Sequence, residues 1–247
     1  TLNPGGHLPY LQRSVLGTEQ PWLSVIVPAR NEQDRIGLLL ESMQEWRRHA
    51  VELIVVDGGS LDQTVAVAGP LADHCIVTCP QRAGQQNAGA ALARGALLWF
   101  VHADAGLQGN EWRTLQLLQQ SVLTPFWGRF DVRMNSADRM LQLVATMMNL
   151  RSRVTGVATG DQGIFVSREL FFEVGGFPSQ PLMEDVEISI RLRRVSAPVC
   201  LREKIMVDGR RWQKRGGWRT IVQMWWLRLR YFLGADPVVL HREYYRD

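Results

Sequence analysis

Cysteine is scarce: Cys75, Cys79 and Cys200 are the only three in 247 residues, too few and too unevenly spaced for a disulfide framework or a four-ligand zinc site. They read as reduced core thiols of a cytosolic protein. Long hydrophobic runs are missing too. The nearest, Trp218 to Leu233, is interrupted by Arg219, Arg228 and Arg230 and falls short of the ~18–20 unbroken apolar residues that a membrane span requires. Residues 1–20 contain Pro and two adjacent Gly but no basic start followed by an apolar run, so they read as a loose tail and not as a signal peptide. No G-x-G-x-x-G follows a strand-like segment, which disfavours a nicotinamide dehydrogenase. There is no internal repeat and no low-complexity segment.

What is present is the composition of a folded globular protein. Hydrophobic residues make up 46% and charged residues 21%, which excludes disordered and fibrous classes. At this length one large domain, or a domain with an appendage, buries its core without staples. Charge is unevenly placed. Residues 191–230 hold twelve Lys/Arg and two Asp/Glu, net +10, which leaves −6 for the rest of a chain whose total is +4. That acidic remainder argues against a broad duplex footprint, so no nucleic-acid partner is expected.

From Trp22 onward, strand-like and helix-like segments alternate. Trp22–Pro28 is a short apolar, β-branched run. Asn31 stands at a helix N-cap position with Asp34 three residues on, and Ile36, Leu39, Leu40, Met43 and Trp46 then share one helical face. Val51–Val56 reads as a second strand, 62–68 as helix, Cys75–Thr78 as a third strand, Gln85–Gly95 as helix and Leu97–Val101 as a fourth strand. Continuous apolar strands joined by crossover helices imply an α/β fold, a Rossmann-like, mostly parallel sheet with helices on both faces. Function then belongs at the C-terminal ends of the strands. Beyond residue 110 the order loosens: a helix over Glu111–Leu123, a strand over Phe126–Met134, a helix over Arg139–Arg151, a turn and strand over Gly160–Val166, and a helix over Met183–Arg194.

The strand ends carry the unusual residues. Asp104, following Leu-Leu-Trp-Phe-Val, is suited to ligate a hard divalent ion that also takes diphosphate oxygens, with His102 on the same side if the strand persists. Asp57-Gly58-Gly59-Ser60 is a tight strand-to-helix turn whose Asp can accept from a base or a ribose. Glu184-Asp185 opens a helix, where the dipole favours acids and where a carboxylate can act as general base. Arg210-Arg211-Trp212 offers guanidinium groups for phosphate oxygens.

In order, Pro28-Ala29-Arg30-Asn31-Glu32, Asp57-Gly58-Gly59-Ser60, Gln81-Arg82 through Asn87-Ala88-Gly89, His102-Ala103-Asp104, Gly160-Asp161-Gln162-Gly163, Met183-Glu184-Asp185 and Arg211-Trp212 resemble a family-2 glycosyltransferase with the GT-A fold. The resemblance implies a GT-A domain over 21–212, with a nucleotide-binding half at 21–106 and an acceptor-binding half at 107–212. It implies that Pro28, Ala29, Arg30, Glu32, Asp57, Gly58, Arg82, Asn87, His102, Ala103 and Asp104 form the nucleotide site, with Asp104 holding Mn²⁺ or Mg²⁺. Asp185 matches the catalytic base of inverting members, while Asp161, Gln162, Glu184, Arg211 and Trp212 lie near the acceptor or diphosphate. The implied donor is a nucleotide sugar, UDP-linked, and the acceptor is unknown. Two features depart from the pattern. His102 replaces the first Asp of Asp-x-Asp, and the long C-terminal membrane helices of processive members are absent, as in a compact soluble subgroup.

Residues 213–247 read as an amphipathic helical extension. Packing against the domain or in a homodimer is one expectation; a peripheral contact with a membrane surface is the other, and a lipid-linked acceptor fits it. Two alternative functions remain: a non-catalytic nucleotide- or membrane-binding scaffold, kept alive by His102, and a sugar-phosphate nucleotidyltransferase, disfavoured because Pro28–Glu32 stands where such enzymes have a Gly-rich phosphate loop.

Overall fold

The computed structural model describes residues 20–208 and 217–245, with side chains in the latter segment from 222 onward. Strand β1 (Leu23–Ala29) leads to helices α1 (Gln33–Ser42) and α2 (Gln44–Arg47), then β2 (Val51–Asp57), α3 (Thr64–Ala68), β3 (His74–Val77), α4 (Arg82–Leu92) and β4 (Leu97–Phe100). The second part contains α5 (Glu111–Ser121), β5 (Trp127–Met134), α6 (Arg139–Thr155), a 3-10 turn (Gly160–Gln162), β6 (Phe165–Ser167), α7 (Arg168–Glu173), α8 (Glu184–Val195) and β7 (Val199–Val207). Helices α9 (Gly217–Phe232) and α10 (Pro237–Tyr244) close the described chain.

The strands form one seven-stranded sheet in the order β3-β2-β1-β4-β6-β5-β7. All pairings are parallel except those of β6, which runs antiparallel to both β4 and β5. Every residue of β1 and β2 is buried, as a parallel strand covered on both faces requires. Alternation divides the core. Val25 and Val27 face a cluster with Ile36, Leu40, Met43 and Trp46, whereas Ile26 faces one with Ala83, Ala90, Phe171 and Ile188. Helix α4 can lie close on the sheet because residue 89 is glycine: a Cβ there would stand 2.5 Å from Ile26 Cγ2.

Several local expectations are corrected. Helix α1 begins at Gln33 after Glu32, and Asn31 adopts φ 54°; its Oδ1 accepts from Leu61 N at 2.9 Å, so the Asn side chain ties two loops together instead of capping the helix. Helix α4 starts at Arg82, three residues early, which places Arg82 in its first turn. Strand β4 stops at Phe100, so His102 and Asp104 sit in a turn closed by Ala105 N donating to His102 O at 3.0 Å. The cysteines are free, but Cys79 is exposed and Cys75 and Cys200 are only partly buried, so core thiols they are not; burial pushes the Cys75 thiol up to about 11.

The C-terminal helices fold back onto the domain through one stripe, with Leu227 and Leu240 packed against Val157, Met183 and Val186. Asp236 caps α10 by accepting from Val238 N at 2.8 Å, with Pro237 in the first turn. Arg230 pairs with Glu243 across the two helices. The opposite face of α9 is bare: Trp225, Trp226, Leu229 and Phe232 are each at least half exposed. None of the described helices is long and apolar enough to cross a membrane.

Candidate active site

The C-terminal ends of β1, β2 and β4 lie side by side, and the loops leaving them are stitched together. Asn31 N donates to Ser60 Oγ and Glu32 N to Thr64 Oγ1, both at 2.8 Å. Asp57 is buried at the turn; Oδ2 accepts from Ser60 N at 2.8 Å and Oδ1 from the Ser60 hydroxyl. Gln85, buried in α4, donates to Ala29 O at 3.0 Å and Val56 O at 2.8 Å. It locks the strand ends under Gly58, where a Cβ would already crowd its amide. Pro28, Ala29 and Gly58 are buried in this floor, and Arg30 is exposed above it.

A second set converges from the other half. The Arg82 guanidinium donates to His102 Nε2, which leaves the ring proton on Nδ1, facing Asp161 Oδ1 at 3.1 Å. Arg82 Nε also lies 3.9 Å from Glu184 Oε1. Asp185, in the first turn of α8, accepts from Gly160 N and Val186 N, each at 2.8 Å. Met183, just before it, takes φ 66° and is buried. A bulky residue in the left-handed region marks a backbone held by its surroundings, and here it sets the angle at which Glu184 and Asp185 enter the site. Burial and the adjacent Asp185 charge push the Glu184 carboxyl up to about 7, against the pull of Arg82.

Arg82, His102, Asp161, Glu184 and Asp185 are therefore brought together. Asn87 is engaged elsewhere. Its amide exchanges hydrogen bonds of 2.8 and 2.9 Å with the Phe177 backbone, so both ends of the side chain hold a turn leading towards α8. Gln162 is completely buried, its side chain accepting from Thr159 N and donating to Ser152 Oγ, so it braces the 3-10 turn from behind. Arg211 and Trp212 lie outside the described residues.

The residues fit a divalent ion in one specific way. Asp104 is half-buried and, among the described residues, its carboxylate makes no hydrogen bond or ion pair. Both His102 ring nitrogens are engaged by Arg82 and Asp161, which disfavours this imidazole as a ligand. No group of three or more His, Cys, Asp or Glu able to hold a metal occurs among the described residues. One protein carboxylate, with substrate oxygens and water completing the shell, suits Mg²⁺ or Mn²⁺ better than zinc.

Residues 24–121 match the model described as glycosyl transferase family 2. That stretch is similar to the family. An uncharacterized glycosyltransferase of Mycobacterium tuberculosis is 28% identical to this chain over 195 residues, 75% of this chain and 74% of that protein. Among solved structures, the mannosyltransferase PcManGT of Pyrobaculum calidifontis, in complex with GDP-Man and Mn²⁺, superposes with a TM-score of 0.62 at 21% identity, covering 96% of this chain and 73% of that one. S. aureus TarS 1–349 in complex with UDP-GlcNAc gives a TM-score of 0.60 at 16% identity, covering 75% of this chain and 58% of that one. The chain has the GT-A fold.

Two residues were not singled out for the site from the sequence. Arg151, from α6, and Arg228, from α9, flank Asp161 and Asp185. Burial lowers the Arg151 guanidinium to about 10, reinforced by the like charge of Arg228. Burial also lowers Arg228, opposed by Asp185 and Asp161. The available signal was an arginine inside the apolar run Met224–Leu229, a position where a charge is costly unless something meets it.

Proposed function

We propose that the chain is a metal-dependent inverting glycosyltransferase that moves a sugar from a UDP-linked donor to an acceptor hydroxyl. The observation that carries the reading is that Asp104, uncommitted among the described residues, stands two residues after His102, which Arg82 and Asp161 bridge to the turn whose Gly160 amide holds Asp185. Support for the donor class comes from neighbours of the same fold bound to UDP-GlcNAc or GDP-Man.

Asp104 would hold the ion, which when bound offsets the negative charge that grows on the diphosphate. Arg82, at the N-terminal end of α4, adds a guanidinium suited to phosphate oxygens. Asp185 takes the proton of the acceptor hydroxyl as its oxygen bonds to the anomeric carbon. The carbon–oxygen bond to the diphosphate breaks, its electron pair leaves with the nucleoside diphosphate, and attack from the opposite face inverts the configuration. Gly160 and Val186 amides keep Asp185 aimed throughout.

Calorimetric titration with UDP and GDP, each with and without Mn²⁺, tests the donor and the metal. The expected result is Mn²⁺-dependent UDP binding that Asp104→Ala abolishes; GDP preference would replace the donor, and no nucleotide binding by the folded protein would favour a non-catalytic scaffold. Asp185→Asn should bind UDP within a few-fold of the parent while transfer falls by about 100-fold or more. Normal turnover by that variant would remove Asp185 as the base.

A further inference from the structure

Between α6 and α9 lies a cavity of about 410 Å³ walled by Met140, Leu143, Met147 and Met148 on one side and Met224 and Trp225 on the other. Among the described residues its polar lining is Arg151, Asp161 and Arg228. A second cavity of about 500 Å³ shares Arg151, Trp225 and Arg228 with the first and continues along α9 past Trp226, Leu229 and Phe232. Two apolar hollows thus meet at a pair of guanidinium groups beside Asp161 and Asp185.

We propose that this channel binds an amphiphile, an apolar chain with an acidic head group, and that this amphiphile is the acceptor. The assignment as acceptor rests on the glycosyl-transfer reading; the binding site rests on three observations of its own. A sugar or peptide acceptor needs polar partners along its length, whereas the walls here offer methionine, leucine and tryptophan. Methionine walls adapt to a chain of variable shape. At the meeting point, Nε and Nη2 of Arg151 and Nε of Arg228 are buried without a hydrogen-bond partner, and the two guanidinium groups repel each other. Unmet buried donors are destabilising, and a bound anion removes both penalties at once because a phosphate or carboxylate accepts from guanidinium groups in pairs. A head held there places a neighbouring hydroxyl beside Asp185, while the chain leaves between α6 and α9 towards the bare Trp226, Leu229 and Phe232.

The test is a fluorescence titration of the full chain with decyl phosphate below its micelle-forming concentration, against 1-decanol and inorganic phosphate. Saturable binding is expected for decyl phosphate, about tenfold or more tighter than for either comparator. Arg228→Gln and Met147→Gln should each weaken it by about tenfold, with Arg228→Lys recovering part of the loss. Met147 is 42% exposed, so its replacement leaves the core intact and the test stands even if Arg228→Gln fails to fold. Equal binding of decanol removes the head site, equal binding of phosphate removes the chain site, and indifference to both substitutions removes the channel. Nucleotide titration of the same preparation separates the two ideas. Decyl phosphate binding without nucleotide binding sinks glycosyl transfer, and with it the acceptor role; nucleotide binding without decyl phosphate binding sinks the amphiphile.

Discussion

Glu184 keeps 7% of its surface exposed, one residue ahead of Asp185, and its carboxyl is raised from 4.5 to about 7. The native state therefore holds a proton that the unfolded chain releases at lower pH. Stability from this group is intact at and below pH 4.5, falls as pH rises towards 7, and is lost above it. Glu184→Gln, which stays neutral, should flatten the urea-midpoint profile across this window and leave the variant about 1–2 kcal/mol more stable than the parent at pH 8. An unchanged slope would mean that Glu184 is ionised throughout. The same residue scale separates uncommitted groups from supports. Asp104 makes no hydrogen bond or ion pair among the described residues, whereas the amides of Asn87 and Gln162, which the motif pattern places in the site, are occupied by Phe177, Thr159 and Ser152. A motif records which residue types recur together; which way an amide points depends on backbone groups that meet it from elsewhere in the fold.

At the scale of elements, α4 connects packing to chemistry. Its first turn carries Arg82 and Gln85, and its middle rests on β1 through Gly89. Gly89→Ala would drive a methyl into Ile26 and Val56, so α4 must lift from the sheet. The expected cost is about 1–3 kcal/mol in urea unfolding, and UDP affinity should fall with it because Arg82 and Gln85 move too. A destabilised variant with unchanged UDP affinity would detach α4 from the nucleotide site. Helix α8 makes the same link: its position follows from Val186, Ile188 and Leu192 in the core, and it delivers Asp185 to the amide of Gly160.

Across the whole molecule, β6 links the two sides of the sheet. It bonds to β4, which lies next to β1, and to β5, which lies next to β7. Seven strands in one sheet should unfold as one unit, so UDP bound at the C-terminal ends of β1 and β2, as proposed, should protect β5 as well. At a UDP concentration 100 times Kd, stabilisation is about 2.7 kcal/mol, and hydrogen exchange through global opening should slow by the corresponding factor of about 100 for core amides of β2 and of β5. Protection confined to β2 would show that the halves open independently.

The parallel sheet and the sites of its loops were legible in the chain because buried strands must be continuously apolar and a carboxylate after such a strand has nowhere to go but the sheet mouth. Periodicity also marked α1, α5, α6 and α8 to within a few residues. The antiparallel insertion of β6 was not legible, since a three-residue strand has no period and its direction is set by the partners on either side. Nor was the inward turn of Arg151 and Arg228. Sequence spacing shows which residues share a helical face, but only the packing of α9 against Val157, Met183 and Val186 decides which face is turned towards Asp185. Composition and local pattern thus determined the fold class and the chain positions of Asp104, Asp161 and Asp185, whereas the cavity beside Asp161 depends on how distant helices meet, and no local pattern encodes that.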